Sequence, residues 1–154
     1  MPLAKETEMT TTETDEFLGQ TETGVLSLAQ HDEPYSIPIS FGYDADERTF
    51  YMRLVSTPKS EKRKFLASSP RARLVVYDRT DGDTVYRSVV AVGSLEGIPL
   101  EELTVERVEQ YGEAERPLFE IWGAEKQNLD IQLYEFAPET LSGRRTVIEP
   151  ETNE

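Results

Sequence analysis

A run of cations stands between Arg53 and Lys64, where a strand pattern gives way to a helix pattern. Its members are Arg53, Lys59, Lys62, Arg63 and Lys64. After a break at Ser56-Thr57-Pro58, Ser60 fits the N-cap of a short helix, and Pro70 follows just past its end. A helix start presents unpaired N–H groups and the positive end of the helix dipole. With Lys62 and nearby hydroxyls this stretch can hold a phosphate; the alternative is a solvated helix end with ordinary surface cations.

Side chains that would carry out chemistry by themselves are scarce. The chain has one histidine, His31, in a turn between two strand patterns, and it has no cysteine. These residues provide neither the ligand cluster of a zinc site nor the thiolate or serine–histidine pair of a nucleophilic enzyme. The glycines are scattered and form neither of the common phosphate-binding patterns. If the protein catalyses a reaction, we expect a bound cofactor to supply the reactive atoms.

The clearest strand pattern runs from Pro34 to Tyr43, reading PYSIPISFGY. Apolar and aromatic residues alternate with small or polar ones, which predicts a half-buried strand. The small face leaves room for a flat group to lie against it. Pro38 has no N–H for a ladder, so this strand needs an edge, a bulge or a ligand at that position. An edge strand in contact with water is an equally good interpretation of this stretch alone.

Five further segments read as strands: 24–29, 49–54, 72–78, 84–95 and 131–136. Tight turns join most of them, at 30–33, at 44–47 and at the Asp81-Gly82 hairpin signal, and Gly93 marks an expected bulge. Because the strands are consecutive and the alternation of strand and helix is missing, we predict a mainly β, six-stranded antiparallel barrel.

The remaining segments define the expected domain organisation. Residues 1–15 are rich in Thr and Glu and predict a disordered acidic lead, residues 16–148 a single domain, and residues 149–154 a polar tail. Residues 15–20 predict a short helix with Phe17 and Leu18 packed inward. Two helical segments are expected at 100–111 and 117–123, and residues 138–145 are expected to turn outward.

The chain carries 16 Lys+Arg against 30 Asp+Glu, a net charge of −14. This field disfavours nucleic acid and anionic membranes as partners. No signal sequence or membrane-spanning run is visible, so we expect a cytoplasmic protein. The scattered acids, with more arginine than lysine, resemble the composition of proteins from salt-loving archaea; the alternative is an ordinary acidic cytosolic protein.

Several motifs, in order along the chain, resemble the pyridoxamine 5′-phosphate oxidase-like, FMN-binding split-barrel family, and within it the nitroimidazole-resistance-type branch. Pro34, Tyr35 and Pro38 match its P-Y-x-x-P strand, and Lys62 matches its lysine upstream of an Asn/Ser-Pro-Arg, here Ser69-Pro70-Arg71. A later strand matches at Tyr86, Ser88, Val89, Gly93, Leu95 and Glu96.

The resemblance implies a six-stranded split barrel and an FMN cofactor shared across a homodimer. It places Lys62 and Ser60, with Arg53 and Ser56, at the phosphate. It places the isoalloxazine ring against Ile37, Pro38, Ile39 and Ser40, and Ser88 at a further flavin contact. The C-terminal arginine–histidine pattern of the true oxidases is missing, so pyridoxamine phosphate is not the expected substrate.

Three functions are compatible with these observations. The first is a flavin-dependent oxidoreductase acting on a small substrate. The second is a split-barrel reductase that binds a deazaflavin coenzyme. The third is a flavin-binding dimer without catalysis. The mass of the extracted cofactor separates the first from the second.

The charge balance leads to a first prediction. We expect molar potassium chloride to raise the thermal midpoint of the protein, because at 1 M salt the repulsion among its carboxylates is screened within about 3 Å. Melting curves at low and molar salt, at one protein concentration, test this. An equal or lower midpoint at high salt would contradict it.

Overall fold

The computed structural model describes residues 3–56, 65–66, 71–80, 84–98 and 130–149. These residues form one helix of full length and eight strands. They are β1 (Leu3–Glu8), α1 (Thr11–Gln20), β2 (Thr23–Gln30), β3 (Glu33–Ser40), β4 (Gly42–Asp44), β5 (Thr49–Ser56), β6 (Arg71–Thr80), β7 (Val85–Ile98) and β8 (Asp130–Glu149). Phe65 and Leu66 are also helical.

The described strands pair in the order β3-β2-β6-β7-β8-β5-β4, and β1 adds to β8. Every one of these pairings is antiparallel. The two ends of this order, β3 and β4, are separated in the chain by Phe41 alone, so one extended segment serves both edges of the curved sheet. The predicted mainly β, antiparallel split-barrel fold is confirmed, but the described residues form eight strands rather than the predicted six, because β1 and β4 are additional strands. The predicted strand at 34–43 is two strands, β3 and β4.

The core lies on the inner face of the sheet. On this face, residues that pair across neighbouring strands form rows. In one row, Ile37 of β3 pairs with Leu26 of β2, Leu26 pairs with Leu74 of β6, and Leu74 pairs with Ala91 of β7. Leu26, Leu74 and Ala91 are fully buried, and Ile37 packs against the core they belong to. The alternation over residues 34–43 therefore indicated the correct inward face.

The turn predicted at residues 30–33 is a two-residue hairpin loop. His31 and Asp32 both have positive φ, 49° and 64°, as the loop of a type I′ turn requires. His31 is exposed.

The prediction of a disordered lead is wrong for the described residues of the N-terminus. Leu3–Glu8 pairs with residues 144–149 of β8, and α1 begins at Thr11 rather than at Asp15. Low apolar content suggested disorder, but β1 is held largely by a backbone ladder, and Glu6 pairs with Arg144 at 2.7 Å. The helix starts early because the Thr10 hydroxyl accepts a hydrogen bond from the Glu13 N–H, an N-cap contact within a T-x-x-E sequence.

β8 is much longer than the predicted strand at 131–136, and the expected outward turn at 138–145 does not occur. Pro138 is tolerated because the register between β7 and β8 shifts at that point, leaving Glu139 as an extra residue opposite Gly93. A Cβ on Gly93 would lie 3.1 Å from the Ala137 carbonyl oxygen, so glycine permits this close approach. The bulge predicted at Gly93 is confirmed.

Several predicted features lie outside the described residues: the Asp81-Gly82 hairpin turn, the helical segments at 100–111 and 117–123, and residues 150–154 of the predicted tail. The described residues contain no apolar helix of membrane-spanning length.

α1 is attached to the barrel by both apolar and polar contacts. Phe17 and Leu18 are buried, as predicted. Asp15 accepts a hydrogen bond from the Tyr43 hydroxyl at 2.7 Å, and Glu13 forms an ion pair with Arg145 at 3.3 Å. Burial, followed by the Asp15 hydrogen bond, raises the pKa of Tyr43 well above its ordinary value.

We predict that Tyr43→Phe lowers the free energy of unfolding by about 1 kcal/mol at pH 7, because it removes this half-buried hydrogen bond. Since the pKa of Tyr43 is raised on folding, its stabilisation is complete below the unfolded pKa of about 10 and is lost as the pH rises further. The difference between wild type and variant should therefore shrink above about pH 10. Denaturant titrations at pH 7 and pH 10.5 measure it.

Tyr86→Phe is the matched control, because its ring and its contact with Arg79 are kept. It should leave stability unchanged at both pH values. The stabilising role of the Tyr43–Asp15 hydrogen bond would be contradicted if Tyr43→Phe had the wild-type free energy of unfolding at pH 7. It would also be contradicted if the difference from wild type were as large at pH 10.5 as at pH 7.

Candidate functional site

The barrel is split between β3 and β5. Beyond the break at Phe41, β4 pairs with β5, with Gly42 opposite Tyr51. Continuing that register by two residues would put Ser40 opposite Arg53, but Ser40 instead pairs with Thr23 of β2. The Phe41 N–H donates to the Glu22 carbonyl at 2.9 Å and fixes the change of partner. No ladder joins β3 to β5 among the described strands, and the place where residues 37–40 and residues 53–56 lack this pairing is here called the β3–β5 cleft.

The backbone of β3 has a distinctive edge toward this cleft. In a two-residue hairpin the closing pair, here Gln30 and Glu33, is hydrogen-bonded, and the pairs then alternate between bonded and non-bonded. Pro34, Pro38 and Ser40 consequently direct their backbone polar groups away from β2. The two prolines have no N–H to leave unsatisfied, which explains how they stand in a strand. At the level of the cleft this edge presents the Pro38 carbonyl.

The four β3 residues predicted to contact a flavin ring all border this cleft. Ile37 and Ile39 point toward the core, where Ile39 is buried. Pro38 and Ser40 lie on the opposite face, with Pro38 exposed and Ser40 buried. The outer face of β3 carries small side chains, and at Ser40 this face is covered.

Arg53 and Ser56 are brought to the other wall of the same cleft. Both belong to β5, and they stand opposite Leu133 and Asp130 of β8. Phe50, Met52 and Leu54 of β5 belong to the core, so Arg53 is on the face of the strand away from it.

The electrostatic environment differs between the two ends of β5. At the end near β4, Tyr51 is buried and donates a hydrogen bond to Glu47 at 3.0 Å. Burial, then Glu47 and then Glu135, raise the pKa of Tyr51 well above its ordinary value. Carboxylates thus gather at this end, whereas the other end has Arg53, with Asp130 opposite Ser56, and the cation run follows it in the sequence. A dianion is accommodated better at the second end.

The main phosphate candidates lie outside the described residues. These are Ser60 and Lys62, together with Lys59, Arg63 and Lys64. The described residues nearest after them, Phe65 and Leu66, are helical and buried. The ring of Phe65 stacks on Tyr35 of β3, with centroids 4.8 Å apart and planes inclined by 14°.

Ser88 is not brought to this cleft within one chain. It lies on β7, between Tyr77 of β6 and Arg144 of β8. The pairing of β2 with β6, extended by two residues from Val25 to Thr23, puts Thr23 opposite Tyr77. Ser40, Thr23, Tyr77 and Ser88 then form one row across the outer face. At about 4.8 Å per strand, Ser88 is roughly 14 Å from Ser40.

Sequence reasoning missed two aromatic contacts near the cleft. Tyr35 was identified as an inward-facing strand residue and as part of the P-Y-x-x-P motif, but no spacing in the sequence indicates its stacking partner 30 positions later. Tyr51 alternates with the core residues of β5 yet is 1% exposed, and its hydroxyl donates to Glu47. The alternation of β5 gave no sign of this.

A second cavity, of about 440 Å³, lies between α1 and the strand ends of β6 and β7. Its lining consists of Glu13, Glu16, Phe17, Gln20, Thr21, Asp78 and Arg87. Three carboxylates against one guanidinium make it unsuitable for a phosphate. Among the described residues, no three carboxylate or imidazole side chains meet to hold a metal ion.

Comparison with known structures supports the fold. A FAD-binding protein from Mesorhizobium loti aligns with a TM-score of 0.69 and 22% identity, over 93% of this chain and 98% of that one. A candidate 5-nitroimidazole antibiotic resistance protein from Bacteroides thetaiotaomicron aligns with a TM-score of 0.67 and 15% identity, over 99% of this chain and 95% of that one. A candidate pyridoxamine 5′-phosphate oxidase from Corynebacterium glutamicum aligns with a TM-score of 0.67 and 16% identity, over 95% of this chain and 96% of that one.

No curated protein matches the sequence. A family model, that of pyridoxamine 5′-phosphate oxidase, matches residues 10–145. This span contains the whole β3–β5 cleft and most of the barrel. The chain therefore belongs to the pyridoxamine 5′-phosphate oxidase family.

Proposed function

We propose that this protein binds FMN in the β3–β5 cleft and acts as a flavin-dependent oxidoreductase on a small substrate. The observation that carries the proposal is the split itself. A strand that exchanges its partner opens a cleft between a proline-bearing backbone edge and Arg53. The cation run follows directly after β5. The FAD-binding description of the Mesorhizobium loti relative supports a flavin.

The residues of the cleft fit the parts of FMN. A flavin ring is flat and apolar on its faces and has hydrogen-bonding groups along one edge. The outer face of β3 carries small side chains, and its edge supplies the Pro38 carbonyl. The phosphate belongs at the Arg53 end, because Glu47 and Glu135 make the other end unfavourable for a dianion. Under this proposal Lys62 and Ser60, which follow β5 in the sequence, complete the phosphate site together with Ser56.

When bound, the flavin supplies electron and hydride transfer that the side chains cannot provide. The protein's own part is to orient the ring, exclude water from one of its faces and place positive charge near the phosphate. His31, the only imidazole, is exposed in the β2–β3 turn and distant from the cleft in the strand register. The Pro38 carbonyl can hold a donor group of the ring edge. The substrate would approach from the outer face, where Pro38 is exposed.

A homodimer is part of the proposal, supported by the outer face of the sheet. Pro38, Val25, Val75 and Val90 are successive register partners on β3, β2, β6 and β7, here called the outer valine row. The three valines are half-exposed, and Tyr77 beside them is 71% exposed, the one exposed large hydrophobic residue in the described part of the chain. A second copy on this row would cover it and bring Ser88 toward the partner's cleft.

We predict that Tyr77→Glu converts a dimer to a monomer, because two carboxylates would face each other across a two-fold axis. Size-exclusion chromatography with light scattering measures the mass. Ala45→Glu, in the exposed β4–β5 turn, is the control and should leave the mass unchanged. A wild-type monomer, or a Tyr77→Glu dimer of unchanged affinity, would contradict this interface.

Two measurements test the flavin assignment: the mass of the released cofactor and the FMN affinity of the Lys62→Ala variant. Denaturing the purified protein should release FMN; FAD or a deazaflavin coenzyme would redirect the cofactor assignment. We predict that Lys62→Ala weakens FMN binding by roughly tenfold to a hundredfold without unfolding the protein, since a charge-assisted hydrogen bond to phosphate contributes roughly 1.5–3 kcal/mol. Flavin titrations at matched, stated salt concentration give the ratio.

The control is Lys5→Ala, which removes a lysine from β1, far from the cleft along β8. Its FMN affinity should equal that of wild type. Unchanged affinity in folded Lys62→Ala would remove Lys62 from the site and assign the phosphate to Arg53 or Lys59. Failure of the wild-type protein to bind any flavin would overturn the function.

A further inference from the structure

The outer face of the sheet differs in charge from the rest of this acidic chain. On β3, β2 and β6, and on residues 86–94 of β7, the positions that alternate with the core residues include no Asp or Glu, although the chain has 30 Asp+Glu. Three arginines of β6 lie on this face: Arg71, Arg73 and Arg79. A substrate that approaches the cleft from the outer face therefore meets guanidinium groups and, on these strands, no carboxylate.

Arg73 differs from the other two arginines of β6 in having no partner within the described part of the chain. The Arg71 guanidinium forms an ion pair with Glu139 at 2.7 Å, and that of Arg79 lies 4.9 Å from the centre of the Tyr86 ring. Arg73 is exposed and makes no hydrogen bond or ion pair with any described residue. Its charge is therefore available to a ligand.

A pair of hydroxyl groups stands beside Arg73 in the same row of the sheet. Ser36 of β3 pairs with Ser27 of β2, and Ser27 pairs with Arg73 of β6. The two serine oxygens are 2.8 Å apart, so one hydroxyl donates to the other, and the accepting serine keeps its own O–H for a further acceptor. A guanidinium and a hydroxyl donor in one row suit a carboxylate.

This row is next to Pro38, which is exposed on the outer face. Ser36 precedes Pro38 by two residues, about 7 Å along the strand. Arg73 is two strands further across the sheet, so its Cα lies roughly 12 Å from that of Pro38. A small molecule that rests on a flavin ring beside Pro38 can thus extend over Ser36 toward the end of the Arg73 side chain.

We propose that Arg73, with the Ser27–Ser36 pair, binds the anionic group of the substrate, and that the substrate is a small organic carboxylate. The inference rests on the proposed function, which places the flavin beside Pro38. A cationic substrate would find no opposite charge on this face of the described strands. In the proposed dimer the second copy presents an outer face of the same composition, so a substrate between the two copies meets the same charge.

The test is a calorimetric titration of the flavin-loaded protein, at one low salt concentration, with three probes of similar size: benzoate, benzamide and benzylammonium. The wild type should bind benzoate about tenfold more tightly than benzamide, and benzylammonium most weakly. Arg73→Gln should weaken benzoate binding by about tenfold and leave benzamide binding unchanged, because only the anion uses the charge. Arg73→Lys should recover part of the benzoate affinity, since it keeps the charge without the planar guanidinium.

Arg79→Gln is the matched control, because it removes the same charge from the same strand and face, six residues from Arg73. Its benzoate affinity should equal that of wild type. An unchanged benzoate affinity in Arg73→Gln, or an equal loss in both glutamine variants, would overturn the inference. Benzamide or benzylammonium bound by the wild type as tightly as benzoate would overturn it as well.

Two further measurements separate other roles of Arg73. A lower affinity of Arg73→Gln for FMN, with riboflavin unaffected, would assign Arg73 to the cofactor phosphate. A lower mass of this variant in light scattering would assign it to the contact between copies. Either result would overturn the substrate role and leave the proposed function intact, whereas a wild-type protein that binds no flavin would overturn the proposed function and the substrate role together.

Discussion

The change of partner at Phe41 is the constraint on which the rest of the structure depends. A single extended segment, from Glu33 to Asp44, must complete the sheet at both of its edges. It can do so only by leaving β2 and joining β5, and the backbone bond from Phe41 to Glu22 marks where it leaves. The Phe41 side chain is buried and meets Phe50 edge-on at 5.3 Å, so the core holds the same point from inside. A closed ladder would have had no cleft; this break creates one.

Both ends of the barrel are closed by aromatic side chains from helical residues, in different ways. Phe17 of α1 covers one end with polar support from Asp15 and Glu13. Close approach there is possible because Gly143 has no Cβ, which would lie 2.8 Å from Met9 and from Thr14. Phe65 covers the other end through its stack on Tyr35. In the sequence, Phe65 follows directly after the cation run.

Much of this could be predicted because periodicity and turn chemistry are local. The alternation over 34–43, the turn at His31 and the bulge at Gly93 each follow from residues close together in sequence, and all three are confirmed. Pro38 called for an edge, a bulge or a ligand, and β3 stands at one end of the described strand order. The extent of β8 could not be predicted, because whether Pro138 ends the strand depends on the partner residue Gly93, 45 positions earlier. β1 was missed because its main contacts are backbone bonds to a strand at the other end of the chain.

In the candidate site too, features set by residues close together in sequence could be predicted, and features set by distant residues could not. Ile37 to Ser40 and Arg53 stand on the two sides of the β3–β5 cleft, on strands that are close together in sequence. Ser88 stands across the outer face, at a place that only the sheet order reveals. A crystal structure of the purified protein with FMN tests the central claim most directly. We expect the flavin ring against Ile37–Ser40, with its phosphate at the Arg53 end of β5. A ring bound elsewhere, such as in the carboxylate-lined cavity beside α1, or a phosphate at the Glu47 end, would contradict it.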